Sequence, residues 1–182
     1  MRHAPILSVI GLAVIVALAV AVPRAAPAAD LSAVFREGAP KDRFTFTALS
    51  GCLTGPLEIT LDLSSSAAGL IFDTTPSGAG VQVFQPFEIV AGADRVVSVS
   101  DVANGDRTLI LSLAKLPEGE AVSFTIDIDD TMGGREITVE GAEIAGARVA
   151  LRVDSTDAGA LTAEATFDAD AEAIVTLPAS CP

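Results

Sequence analysis

The sequence predicts an all-β fold: an antiparallel two-sheet β-sandwich of about nine strands, immunoglobulin-like in build. Three observations predict it. Apolar and polar residues alternate with period two over several segments, as in strands buried on one face. Turn-forming clusters separate these segments at short intervals. No stretch combines helical periodicity with capping residues at its ends. A closed barrel is the alternative that alternation leaves open.

The first element is an address. Arg2 and His3 precede an uncharged apolar run from Ile6 to Val22, followed by Pro23, Arg24 and the small-residue stretch Ala25 to Ala29. A positive start, an apolar middle and an Ala-Pro-Ala site at 26–28 make residues 1–28 a secretory signal peptide. The run also lies at the lower edge of what spans a bilayer, so an uncleaved anchor is the competing reading. No twin arginine precedes the run, no cysteine sits at the cleavage site, and no apolar tail ends the chain. Residues 29–182 are then one secreted or periplasmic domain, and heavy use of Ala, Gly and Asp suits a GC-rich bacterial source.

The strands follow in order. Leu57 to Leu63, Val122 to Asp129 and Ala147 to Val153 alternate without error. Weaker alternation covers Phe44 to Thr47, Val81 to Val83, Val96 to Val99, Leu109 to Leu113, Ile137 to Glu140 and Leu161 to Phe167. The last lies in the Ala-rich 158–173 region, where a helix competes and alternation favours a strand. Turns at 75–78, 91–94, 104–105, 117–119 and 133–134 divide them, and two hairpins are expected: 107–113 with 120–129, and 122–129 with 135–140. Pro86, within Phe84-Gln-Pro-Phe87, marks an edge or a bulge, with both rings expected in the core.

The two cysteines, Cys52 and Cys181, most simply form one disulfide in an exported chain. Closing a loop on the order of 130 residues would contribute roughly 4–5 kcal/mol in the chain-entropy description. Two free or intermolecular thiols are the alternative.

The chemistry is read largely by exclusion. The only histidine falls in the signal segment, which removes Ser-His-Asp and Cys-His catalysis and imidazole metal ligands. Lys41 and Lys115, the only lysines, sit in a turn and at a strand end, where Ser-Lys catalysis is not expected. A formal charge of −13 argues against nucleic acid and anionic membranes as partners. Asp127 and Asp129 project from one face of a strand about 6.5–7 Å apart, a spacing that inverting glycosidases use. The chain has no Trp or Tyr to build the platform a sugar needs, so no enzyme is expected.

Those carboxylates suit a hard cation better. Asp127, Asp129 and Asp130 cluster at a strand end running into a Gly-Gly turn, where loops can complete an oxygen cage for calcium. Glu37 and Asp42, bracketing a Gly-Ala-Pro-Lys turn, are candidate additional ligands. Asp73, Asp101 and Asp106 also fall near strand ends. The segment fails as an EF-hand, because Met132 and Thr138 stand where that loop requires Gly and Glu.

Several strings carry a resemblance. Phe35 to Phe44 (FREGAPKDRF), Gly69 to Asp73 with Val81 to Glu88, Phe124 to Thr131 (FTIDIDDT) and Arg135 to Ala147 resemble bacterial exported proteins of the aggregation factor core family, over roughly residues 34–153. The family name points to the sponge extracellular aggregation factor, a calcium-dependent cell-adhesion assembly. The resemblance implies an exported, non-catalytic adhesion or interaction domain. Its expected partner is a protein, a cell-envelope or matrix component, or another copy of itself. A metal-free structural envelope domain is the alternative.

Overall fold

The computed structural model describes residues 29–39, 41–77, 84–132, 139–155 and 159–178. The fold is all-β. Its strands are β1 (Leu31–Arg36), β2 (Asp42–Ala48), β3 (Leu57–Asp62), β4 (Ile71–Phe72), β5 (Glu88–Ala91) and β6 (Val96–Val99). They continue with β7 (Thr108–Leu113), β8 (Ala121–Ile126), β9 (Ile128–Asp129), β10 (Arg148–Ser155), β11 (Gly159–Thr166) and β12 (Glu172–Val175). Two short 3₁₀ turns, Ala93–Arg95 and Gly141–Ile144, are the helical elements among the described residues. None is long and apolar enough to cross a membrane.

Two five-stranded antiparallel sheets carry the architecture. The first has the order β12-β1-β2-β8-β5, the second β11-β10-β3-β7-β6, and β4 and β9 form a separate two-stranded ladder. Alternation decides which side chains go inward. Leu57, Ile59 and Leu61 of β3, Leu109, Leu111 and Leu113 of β7 and Val149 and Leu151 of β10 are buried, with more exposed residues between them. They join Phe44, Phe46, Val122 and Phe124 of the first sheet in one core.

With no Trp or Tyr, phenylalanine supplies the bulk. Register places Phe35 of β1 opposite Phe44 of β2, and Phe44 opposite Phe124 of β8. The ring centroids of Phe44 lie 5.1 Å from Phe35, 5.3 Å from Phe124 and 6.4 Å from Phe167. These separations suit favourable ring-ring packing beyond simple burial. Phe87 is half-buried and packs against the core at 4.9 Å from Phe124, and Phe84 is half-buried too, so neither ring of the Phe-Gln-Pro-Phe segment lies fully inside as expected. Edge strand β5 begins two residues after Pro86, where a missing N–H breaks no ladder.

The first expected hairpin, 107–113 with 120–129, does not form. β7 lies in the second sheet between β3 and β6, whereas β8 lies in the first between β2 and β5. The intervening chain crosses from one sheet to the other, pinned by fully buried Leu116, whose N–H donates to the Leu53 carbonyl at 2.6 Å. The turn expected at 117–119 is present, with the Glu120 N–H donating to the Pro117 carbonyl at 3.0 Å, but it lies on a crossing rather than in a hairpin. β2 and β5 flank β8, and the partner expected for it at 135–140 falls mostly outside the described residues. Residues 133–138 and 81–83 lie outside the described residues, and with them most of two expected strands. Glu140 instead caps the second 3₁₀ turn, its N–H donating to Glu143 at 2.7 Å. In the Ala-rich region the strand is present, as β11.

Candidate functional site

The described residues bury few charges, and the buried ones are aspartates. Asp42, Asp73, Asp127 and Asp129 are each at most 3% exposed. The small β4–β9 ladder gathers three of them. Ile71 stands opposite Asp129 and Phe72 opposite Ile128; the Asp73 N–H donates to the Asp127 carbonyl at 2.9 Å, extending the ladder by one pair. Phe72 and Ile128 face the core. Alternation therefore turns Asp73, Asp127 and Asp129 together to the other face. Asp73 and Asp127 are direct cross-strand neighbours, a position where like charges destabilise a sheet.

Backbone contacts fix this arrangement. Gln85 bridges the pair: its N–H donates to the Asp73 carbonyl at 3.3 Å, and its carbonyl accepts from the Asp127 N–H at 3.1 Å. Thr131 anchors the far end, with its N–H on the Ala68 carbonyl and its hydroxyl on the Gly69 carbonyl at 2.7 Å. Gly69 has φ of 66°, and a Cβ there would stand 2.8 Å from the Thr131 hydroxyl, so glycine is required for this closure.

The carboxylates are unequally satisfied. Asp42 accepts from the Gly38 N–H at 3.0 Å and from the Ile128 N–H at 3.1 Å, which accounts for it as the staple between the 38–42 turn and the start of β9. Asp73 accepts on Oδ1 from the Asn104 amide. Oδ2 of Asp73, Oδ2 of Asp127 and Oδ1 of Asp130 are buried with no hydrogen-bond partner. A buried carboxylate oxygen without a donor is costly, and more so when charged.

Burial, foremost, raises the Asp127 carboxyl to about 8, with the charges of Asp129, Asp42 and Asp73 adding to the effect. Burial likewise raises Asp42 to about 7 against the opposing pull of its two backbone donors, with smaller contributions from Asp129 and Glu37. Asp127 and Asp42 therefore favour their protonated forms near neutrality.

Of the residues the sequence singled out, Asp42, Asp127 and Asp129 come together, and Asp130 adjoins them with one orphaned oxygen. Glu37 does not enter the cluster; it is exposed and is felt through its charge on Asp42. Asp73 and Asn104 complete the group. Asp73 was legible only as a carboxylate near a strand end, and Asn104 only as half of an Asn-Gly turn. Asp106 is exposed and caps its own turn, accepting from the Ala103 N–H at 2.8 Å. Lys41 is exposed and reaches Glu88 rather than the aspartates. Among the described residues no three acidic, histidine or cysteine side chains are placed together as a metal-holding group.

Cys52 is half-buried against the core and is not a free thiol; Cys181 lies outside the described residues. A hydrogen-bond relay links Leu177 to Cys52. Asp30 accepts from the Leu177 N–H at 2.8 Å and from the Ser50 hydroxyl at 2.5 Å, and the Ser50 hydroxyl accepts from the Cys52 N–H at 3.3 Å. No family model, curated protein or solved structure matches this chain.

Proposed function

We propose that the chain is an exported, non-catalytic interaction domain, an immunoglobulin-like β-sandwich whose rim is held by calcium. The observation that carries this reading is the cross-strand pair Asp73–Asp127, buried side by side, each with an oxygen lacking any donor. Asp129 and Asp42 lie near enough for their charges to act on Asp127, and the Asn104 amide meets Asp73, so these residues would supply further oxygens. An all-oxygen set on irregular rim segments suits calcium better than magnesium, which demands near-ideal octahedral geometry. Millimolar calcium outside cells would fill even a weak site.

The acidic surface and the resemblance to aggregation factor core proteins support a protein, envelope or matrix partner, or self-association, rather than nucleic acid or an anionic membrane. The Asp30 corner, which links Leu177 through Asp30 and Ser50 to Cys52, supports a Cys52–Cys181 disulfide. Peptide mapping without reductant should recover the two cysteines linked, and reduction should lower the melting temperature.

A thermal melt tests the calcium reading. The purified protein, stripped with chelator, should melt several degrees higher in millimolar calcium and much less so in magnesium. A cation bound only by the native state at a hundredfold excess over its Kd contributes ~2.7 kcal/mol, and each kcal/mol moves a domain this size by ~2–4 °C. Protons alone could instead neutralise the cluster, a metal-free reading that the open arrangement of the carboxylates favours. It predicts identical melts in chelator and in calcium.

A further inference from the structure

Four strands end the two sheets, and three are defended. β12, β5 and β6 have four residues each, and β5 and β6 carry register breaks at Val90 and Val97. Short length and bulges protect an edge against further pairing. β11 has neither. It runs eight residues in unbroken register with β10, without Lys, Arg or Pro.

Its free side has a definite parity. The Phe167 N–H donates to the Ala147 carbonyl at 2.9 Å. By alternation, Ala165, Ala163 and Leu161 also turn their backbone groups to β10. The N–H and carbonyl groups of Ala160, Thr162, Glu164 and Thr166 then point outward, and no strand among the described residues pairs with them. We propose that β11 is a pairing edge for a second copy of this chain, joined antiparallel across a two-fold axis. This names the partner within the interaction-domain reading and rests on it, but not on the cation.

Charge selects the register. Residues opposite one another must share a face, so the axis passes through Thr162 or through Ala163. With Thr162 on the axis, Glu164 faces the second copy's Ala160, directly behind which stands Asp154, and carboxylate meets carboxylate. With Ala163 on the axis, Glu164 faces Thr162, behind which stands the half-exposed Arg152, which also pairs with Asp154 of its own strand at 2.8 Å. The second register pairs Thr162 with Glu164, Ala160 with Thr166 and Leu161 with Ala165. It joins every outward backbone group of one copy to the other and offers Glu164 a guanidinium.

Sedimentation and cross-linking of the full exported chain, in chelator and again in calcium, test this. Wild type should show a reversible monomer–dimer equilibrium in both. Ala163→Cys should oxidise rapidly to a covalent dimer, because a non-hydrogen-bonded antiparallel pair brings Cα atoms to about 4.5 Å, within disulfide range. Thr162→Cys and a control cysteine at exposed Glu118 should not. Thr162→Pro should remain folded, since the N–H it removes points outward, and should be monomeric. A wild type that stays monomeric up to about 1 mM overturns the proposal, as does linkage of Ala163→Cys no faster than the control. Preferential linkage through Thr162→Cys overturns the register. A dimer present in both solutions alongside a melt indifferent to calcium would retire the cation and leave the edge standing.

Discussion

Asp127→Asn should raise the melting temperature of the calcium-free protein at pH 8.5 by about 2–12 °C and abolish its response to calcium. Both effects come from the same burial. In the native state the Asp127 carboxyl is raised to about 8, chiefly by desolvation and then by its carboxylate neighbours, while in the unfolded chain it returns to an ordinary aspartate value. Between about pH 4 and pH 8 the native state therefore holds more protons than the unfolded one, and stability falls as pH rises through that window. The contribution is complete below the unfolded value and gone above the native one. Asn resembles the protonated acid in shape and charge, so the variant should escape most of the decline. Relief of an unsatisfied buried group is worth ~1–3 kcal/mol, and ~2–4 °C per kcal/mol gives the range. Asp73→Asn should behave similarly, because it removes the charge directly across the ladder and keeps an oxygen for the Asn104 amide. A variant less stable than wild type in chelator at pH 8.5 would show that the carboxylate is held by favourable contacts instead.

Phe44→Ala should have the largest effect in the core, a loss of ~3–5 kcal/mol. Phe44 is fully buried and meets the rings of Phe35, Phe124 and Phe167, so truncation opens a cavity where β1, β2 and β8 lie side by side. Domains of this kind hold about 5–15 kcal/mol in total; such a loss consumes a large part of the margin. The urea midpoint should fall sharply with little change in slope. Phe87→Ala should cost less, since that ring is half-buried on the edge-strand side of Phe124 and can be partly replaced by water. Equal losses for the two would contradict the view that the Phe35–Phe44–Phe124 row is the centre of the core.

The strands with large apolar residues were legible. Leu57, Ile59 and Leu61, and likewise Leu109, Leu111 and Leu113, alternate so strongly that β3 and β7 appear nearly residue for residue. β1 and β12 are faint in the sequence because Val34 and Ile174 put apolar residues on their outward faces while small Ala33 and Ala173 point inward. Strand partners were not legible. The short step from β7 to β8 looks like a hairpin locally, and only the burial of Leu116 between the sheets reveals a crossing. The same limit applied to the acidic cluster. Period two placed Asp127 and Asp129 on one face, but Asp73 joins them through a ladder of two paired residues closed over a long separation, and local pattern does not carry that register. Glu37 was drawn in by its position in a turn with Asp42, although it projects into solvent.

One divalent cation among Asp73, Asp127, Asp129 and Asp42 should displace the protons that burial favours on Asp127 and Asp42. Calorimetric titration of calcium into the chelator-stripped protein at pH 7, repeated in two buffers of different ionisation enthalpy, tests it most directly. One calcium per chain, with an apparent heat that differs between the buffers in the sense of proton release, is the predicted result. Saturating calcium that produces no binding heat in either buffer, with protein folded throughout, would contradict it.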